Sequence, residues 1–512
     1  MQSIAEERLT AICRTTSIDP SRTNQPWTNP GWTNPKPAAR YDMAILGGGP
    51  AGLLAAHAAV AEGTKVALIE RNLLGGVCVN VGCISSKSLI RTSRLYAEMR
   101  DAQNYGARVP GDTEVDFAQA MNRMRAVRAR LSRRVLARTL GSPHIDLFFG
   151  EAAFAGHDVI TVAGEKLFFK TACIATGARP LIPPIPGLSG VGYLTNESVF
   201  DLNECPPRLL VIGGGPLGCE LAQAFCRLGS RVTIVQDEPL FLSQEERDAA
   251  QILSEALARD GIDIYLNTQT VRVETDGSEK MAHLESGGDT ATVAADEILI
   301  GAGSVPNAGG LHLEAAGVDG DETNGIRVND FLQTTNPRIY ASGDVCSVHK
   351  FAHIESVSAR IVAHNALRRR RERLSKVVIP WCTYTDPEIA HTGMYVTEAR
   401  AKKIPVKTFT VPMHDVDRAV IDGEEEGFVK IHVKEGTDQI LGATVVARHG
   451  GEIINDISLA IMSRVGLSTV ARISHPYPTQ AAAIRMAAEM CANQQRDSIF
   501  QRLRSLSRRL FI

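Results

Sequence analysis

The 512 residues exceed what one hydrophobic core serves, and at ~100–200 residues per domain they predict about three domains. Hydrophobic content of 44%, charged content of 22% and aromatic content of 5% exclude a disordered or fibrous chain and suit an ordinary α/β protein. With 55 Lys and Arg against 57 Asp and Glu, bulk electrostatics favour neither nucleic acid nor an anionic membrane as the main partner, so no nucleic-acid binding is expected.

In chain order, residues 1–40 read as a short helix over 1–14 and a Pro/Asn-rich linker in which WTNP occurs twice. The opening MQSIAEERLTAICR has no basic region ahead of an apolar run, and no later stretch approaches the ~18 apolar residues of a membrane span. A cytoplasmic protein is therefore expected. Its ten cysteines are too sparse for a disulfide framework, which a reducing cytosol would also oppose.

From Tyr41, YDMAILGGGPAG sets a buried-strand run before Gly47, Gly49 and Gly52 in GxGxxG spacing, followed by an Ala/Leu-rich helix and a second strand, KVALIE. That is a βαβ opening for a dinucleotide. Gly47 makes the tight turn, Gly49 admits the pyrophosphate, and Gly52 lets helix and strand pack closely, while the helix N-terminus attracts the anion. Glu70, ending the second strand, is placed to accept from a ribose.

Next, GGVCVNVGCISSK (75–87) sets Cys78 and Cys83 five positions apart. In a reducing compartment one close pair means redox or metal work, and without a second Cys/His cluster zinc is disfavoured; no resident metal is expected. MNRMRAVRARLSRRVLAR (121–138) carries seven arginines and LRRRRERLSK (367–376) five more, both read as solvated helix faces. At 208–238 the fingerprint recurs with Gly213, Gly215 and Gly218, giving a second dinucleotide site. Its second strand ends at Gln236 and Asp237 with no Arg close by for a 2′-phosphate, which mildly favours NADH over NADPH. In the tail, Phe500, Leu503, Leu506, Leu510 and Phe511 recur at near-helical spacing among arginines. Two readings stay open there: packing on a partner subunit, or weak peripheral membrane contact.

GGVCVNVGCISSK resembles the GGTCVNVGCIPSK signature of the FAD-dependent pyridine nucleotide-disulfide oxidoreductases, the family of glutathione reductase, lipoamide dehydrogenase and mercuric reductase. TACIATGARP (171–180), IGAGSVPN (300–307), TTNPRIYASGDV (334–345) and TDPEIAHTG (385–393) are similar to further landmarks in the family's order, so the resemblance covers roughly residues 41 to 495. It implies an α/β homodimer with two Rossmann-like domains, for FAD and NAD(P), plus an α+β C-terminal dimerisation domain. The implied boundaries are 41–195 and 313–375 for FAD, 196–312 for NAD(P), 376–495 for the interface domain and 496–512 for a basic amphipathic tail.

The resemblance also implies roles. Pro50, Ala51, Arg71, Gly76, Val77, Ala175, Thr176, Gly177, Gly343 and Asp344 would join the first fingerprint in holding FAD, and Gly303 would lie on the return from the NAD(P) domain. Cys83 would be the flavin-proximal thiolate, Cys78 the interchange thiol that meets substrate, and Lys87 a neighbour of the flavin paired with Glu220.

Departures bear on the acceptor. Where the dithiol members carry HPTxxE, this chain reads SHPYPTQAAAI: Tyr477 stands in the place of the catalytic His and Ala482 in that of the Glu. A tyrosine, with an ordinary pKa of ~10, is a poor proton relay at neutral pH, and His475 is the nearby substitute. Tyrosine at this place is similar to mercuric reductases, and soft thiolates suit a soft cation that needs no general acid. Yet no cysteine follows Cys491, whereas mercuric reductases carry a C-terminal Cys-Cys, and their metal-binding N-terminal domain has no counterpart. Pro216 also replaces a common Tyr, so an aromatic cover over the flavin would come from elsewhere. The expected activity is NAD(P)H-dependent reduction of a small thiophilic acceptor through Cys78 and Cys83. The alternatives are a lipoamide-type disulfide reductase, or a membrane-associated flavoprotein passing electrons to a quinone or partner.

Overall fold

The computed structural model describes residues 32–110, 113–347, 351–368 and 371–510, with side chains to 497. The helix expected over 1–14, the first WTNP copy and the tail side chains behind the interfacial-helix reading lie outside the described residues. The second WTNP copy, in the span read as linker, is docked. Asn34 brackets Phe149, donating to its carbonyl and accepting from its N–H at 2.8 Å each, while Trp32 meets the Phe149 ring edge-on at 5.7 Å.

The run YDMAIL forms the strand Tyr41–Leu46, central to a parallel set with Val66–Glu70 and Ile145–Phe149 on one side and Glu165–Ile174 and Ile339–Ala341 on the other. Strands buried on both faces read as continuous apolar runs, and these do. Helix α1 (Pro50–Ala61) lies close to this sheet because its inner face is Ala51, Gly52, Ala55, Ala56 and Ala59. The short α2 (Gly76–Asn80) carries Cys78. Helix α3 (Cys83–Asp101) starts at the second cysteine, and α4 (Phe117–Leu140) packs beside it.

A second parallel sheet orders its strands Asp263–Tyr265, Arg231–Val235, Arg208–Ile212 and Glu297–Ile300, with α5 (Pro216–Arg227) leaving the second fingerprint. The two sheet units are joined where Ala178–Pro180 pairs antiparallel with Ser304–Pro306. Helix α6 (Ala352–Leu367) returns to pack on α1. The C-terminal unit is a five-stranded antiparallel sheet, Trp381–Thr383 to Val406–Pro412, covered by α7 (Gly450–Met462) and α8 (Ala482–Leu510). This is the α/β architecture expected. No helix among the described residues is long and apolar enough to cross a membrane.

One apolar cluster positions the site. Leu89 and Ile90 of α3 and Phe117, Met121 and Met124 of α4 share a core with Cys219, Ala222 and Phe225 of α5, fixing the cysteine-bearing helix against the second fingerprint. The arginine run of α4 corrects its reading as a wholly solvated face. Arg125 is buried, donating to the Phe200 and Leu202 carbonyls and to Asn203, and Arg128 is buried against the Asn80 carbonyl and Asp201. Burial is tolerated because each guanidinium meets acceptors that need its donors.

Candidate active site

The first cradle forms where Leu46, Glu70, Ile174 and Ala341 end their strands. Gly47 has φ +111°, and a Cβ there would lie 2.2 Å from the Ala175 carbonyl oxygen; one on Gly52 would lie 1.8 Å from the Gly47 oxygen. Gly49 and Gly76 face each other so closely that a Cβ on Gly76 would come within 2.7 Å of the Gly49 Cα. Pro50 starts α1, whose first-turn N–H groups find no carbonyl within the helix and so favour negative charge. Glu70 accepts from Gly48 N and Asn72 N, both at 2.7 Å, and burial pushes its pKa up despite those donors. A bare-backbone cradle at a helix N-terminus beside a ribose-side carboxyl fits a dinucleotide such as FAD. Arg71 and Val77 stand exposed nearby. Thr176 exchanges hydrogen bonds with Asn307 at 2.7 and 3.0 Å, tying Ala175–Gly177 to the second unit.

The second cradle repeats the geometry. A Cβ on Gly213 would lie 2.6 Å from the Gly301 carbonyl, and one on Gly218 2.0 Å from the Gly213 oxygen. Gln236 holds Glu70's place: its Oε1 accepts from Gly214 N at 2.6 Å, leaving the amide NH2 as its remaining polar group.

A cavity of about 1660 Å³ adjoins the second cradle. Gly213, Gly215, Gln236, Asp237 and Gly303 line it together with Val77, Cys83, Lys87, Glu220 and Asp344. Cys78 hydrogen-bonds to Cys83, and this contact, with the Lys87 charge, lowers Cys83 to a pKa of about 7 against its burial, while Cys78 is raised. Lys87 meets Glu220 at 2.8 Å and lies 4.7 Å over the Tyr384 ring. Burial opposes the lysine's charge, but Glu220 more than offsets this and its pKa is raised. Glu220, only 3% exposed, also accepts from Tyr384 N at 2.9 Å.

Tyr477 and His475 are outside the residues lining this cavity. Tyr477 is 76% exposed and donates to Asp417 at 2.9 Å, which pushes its pKa up; His475 Nδ1 meets the Ile473 carbonyl at 3.1 Å. Sequence reasoning missed the cavity's aromatic wall. Phe351 and Trp381 stack with centroids 5.9 Å apart and planes 6° apart, and Tyr384 and a third thiol, Cys382, adjoin them. The signal was PWCTYT, just ahead of a segment read only as a domain opening. Pro216, which removes the expected ring, lines the same cavity as these rings. Among the described residues no cluster could hold a metal ion.

Comparison with known proteins agrees with this geometry. Residues 41–366 match the family described as pyridine nucleotide-disulphide oxidoreductase, and residues 379–488 match its dimerisation domain. The chain is 33% identical over 448 residues to a mercuric reductase of Lysinibacillus sphaericus, covering 88% of this chain and 82% of that protein. It is also 33% identical over 463 residues to a dihydrolipoyl dehydrogenase of Thermus scotoductus, covering 89% and 98%. Among solved structures, the Cu(II) complex of the HOCl-induced flavoprotein disulfide reductase RclA from Escherichia coli superposes with a TM-score of 0.80 at 28% identity, covering 88% of this chain and 100% of that one. With the family matching most of its length, this chain belongs to the FAD-dependent pyridine nucleotide-disulfide oxidoreductases.

Proposed function

We propose that the protein is an NAD(P)H oxidoreductase that reduces a small thiophilic acceptor, a soft metal ion or thiol-bound species, through Cys78 and Cys83. The observation that carries the reading is that Cys83 opens onto the cavity lined by the nicotinamide-side glycines and by Lys87 and Glu220. Bound FAD would supply two-electron transfer between the nicotinamide and the sulfur pair. Gly47, Gly49, Pro50, Ala51, Gly52 and Gly76 would hold its diphosphate, Glu70 its ribose and Asp344 its ribityl chain. Gly213, Gly215, Gly218 and Gln236 would hold the nicotinamide dinucleotide. NADH is the favoured form, because the Asp237 carboxylate beside Gln236 opposes a 2′-phosphate.

Within the pair, Cys83 is the thiolate and Cys78 the protonated partner, and the Lys87 ammonium stabilises the sulfur's charge. Release of a thiol product would need a proton at the leaving sulfur. Tyr477, held by Asp417 and raised in pKa, is a poor donor, which supports a soft cation as acceptor. The Cu(II) complex of a structurally similar flavoprotein supports the same class. A lipoamide-type exchange using His475 is the second reading, supported by the equal identity to dihydrolipoyl dehydrogenase. We also propose a homodimer working in the cytoplasm; exposed Leu459, Met462, Ile473 and Tyr477 on the dimerisation domain support the former, and ten cysteines too sparse for a disulfide framework the latter.

The test is NADH oxidation with Hg(II), Cu(II), oxidised lipoamide, glutathione disulfide and a quinone, for wild type and Cys78→Ala. Metal-dependent turnover that vanishes in Cys78→Ala is the expected result. Lipoamide turnover lost in His475→Ala would replace the first reading with the second, and quinone turnover indifferent to Cys78 would overturn both.

A further inference from the structure

Glu355, in the first turn of α6, is used by nothing described so far. Helix α6 approaches the N-terminus of α1 across Gly343, which has φ +81°; a Cβ there would lie 3.0 Å from the Ala51 Cβ and 3.6 Å from the Glu355 Cγ. The Ala51 N–H, in the first turn of α1, donates to the Glu355 carboxyl. The residue as a whole is half-buried, but its Oε2 is fully buried and meets no donor or acceptor among the described residues. The carboxyl is thus drawn to the anion-binding end of α1 while its Oε2 is buried without a partner among the described residues.

We propose that Glu355 is a further ligand of the flavin nucleotide, a carboxyl that carries its proton when FAD occupies the cradle of Gly47, Gly49 and Gly52, so that cofactor binding is tied to one proton. This rests on reading that cradle as the FAD site.

The charges around Glu355 argue for the neutral form. Asp344 faces it from the loop after Ile339–Ala341, and Cys83 faces it from the start of α3; Cys78 on α2 also feels it. On α1 the titratable groups are His57, whose burial lowers its pKa, and Glu62, which is paired with Arg368. On α6 itself, Arg360 and His364 are bound to Glu372, and His353 lies on the cavity side. Burial first, then Asp344 and Cys83, push Glu355 well above the usual carboxylate range against the Ala51 N–H. A bound diphosphate adds negative charge and pushes further the same way. Only the neutral carboxyl has an O–H to offer a cofactor oxygen; the ionised form accepts only, and repels.

The experiment measures FAD release from full-length holoprotein, by the fluorescence of free FAD, between about pH 6 and about pH 9. The disulfide is kept oxidised so that Cys83 does not titrate. Wild-type affinity should fall as pH rises, by up to about tenfold per pH unit. Glu355→Gln, neutral at every pH and still a donor, should hold FAD with a flat profile, and Glu355→Ala should bind more weakly at the acid end. Should the Gln variant fail to fold, proton uptake when FAD is returned to the stripped wild-type chain at the alkaline end of that range, where the free carboxyl has lost its proton, gives the same answer, with a value approaching one expected. Equal slopes in wild type and Glu355→Gln, or rebinding without proton uptake, would overturn the proposal and leave the flavoprotein reading standing. A chain that binds no FAD at all would overturn both.

Discussion

Lys87 Nζ and Glu220 Oε2 meet at 2.8 Å although 133 residues separate them, and their contact ties the helix that begins at Cys83 to the helix behind the second fingerprint. Replacing Lys87 with Met leaves a carboxylate that is 3% exposed with only the Tyr384 N–H as donor among the described residues. Because the lysine side chain is 35% exposed and partly screened, the expected loss is about 2–3 kcal/mol, read from urea unfolding. A loss under about 0.5 kcal/mol would show that solvent already satisfies Glu220.

The Cys78 hydrogen bond is the largest influence holding Cys83 at about 7. In the reduced protein, alkylation of Cys83 should therefore accelerate through about pH 7 and level off above it. Cys78→Ala removes that contact and moves the midpoint up, towards the ordinary cysteine range, while Cys78→Ser, which keeps an O–H donor, moves it less. Because the folded-state value lies below the unfolded one, the thiolate adds stability at alkaline pH that is lost as pH falls through about 7. An unchanged midpoint in Cys78→Ala would shift the credit to Lys87.

The proposed assignment of one nucleotide to each fingerprint can be tested one cradle at a time. A methyl on Gly218 would lie 2.0 Å from the Gly213 oxygen, so Gly218→Ala must push α5 away from its strand at a cost of about 1–3 kcal/mol. This variant should still purify with FAD, seen as flavin absorbance after desalting, yet fail to bleach with NADH. Gly52→Ala, with 1.8 Å to the Gly47 oxygen, should purify without flavin. Loss of flavin from both would mean that the two cradles do not act independently.

Arg125 should matter to the fold and Arg133, exposed on the same helix, should not. Arg125→Ala strands the Phe200 and Leu202 carbonyls that it now satisfies, and an expected destabilisation of about 2–4 kcal/mol should appear in urea unfolding. Arg133→Ala should stay within about 0.5 kcal/mol of wild type. Equal effects would return the run to a solvated face.

By itself the sequence determined what is encoded over short, contiguous spans. Strand, GxGxxG and helix lie within some thirty residues of each other, so both dinucleotide folds were legible, as was the family through its ordered motifs. Tertiary structure alone decided what depends on segments meeting from far apart. The burial of Arg125 and Arg128 is invisible to hydrophobic periodicity, because what accepts them is chiefly backbone carbonyl, around Phe200 and Leu202 and at Asn80. The Phe351 and Trp381 wall and the approach of Glu355 to Ala51 likewise exist only once α6 and the C-terminal sheet close on the first unit. A side chain's chemistry follows from its neighbours' dipoles and charges, and across such separations only the folded chain chooses those neighbours.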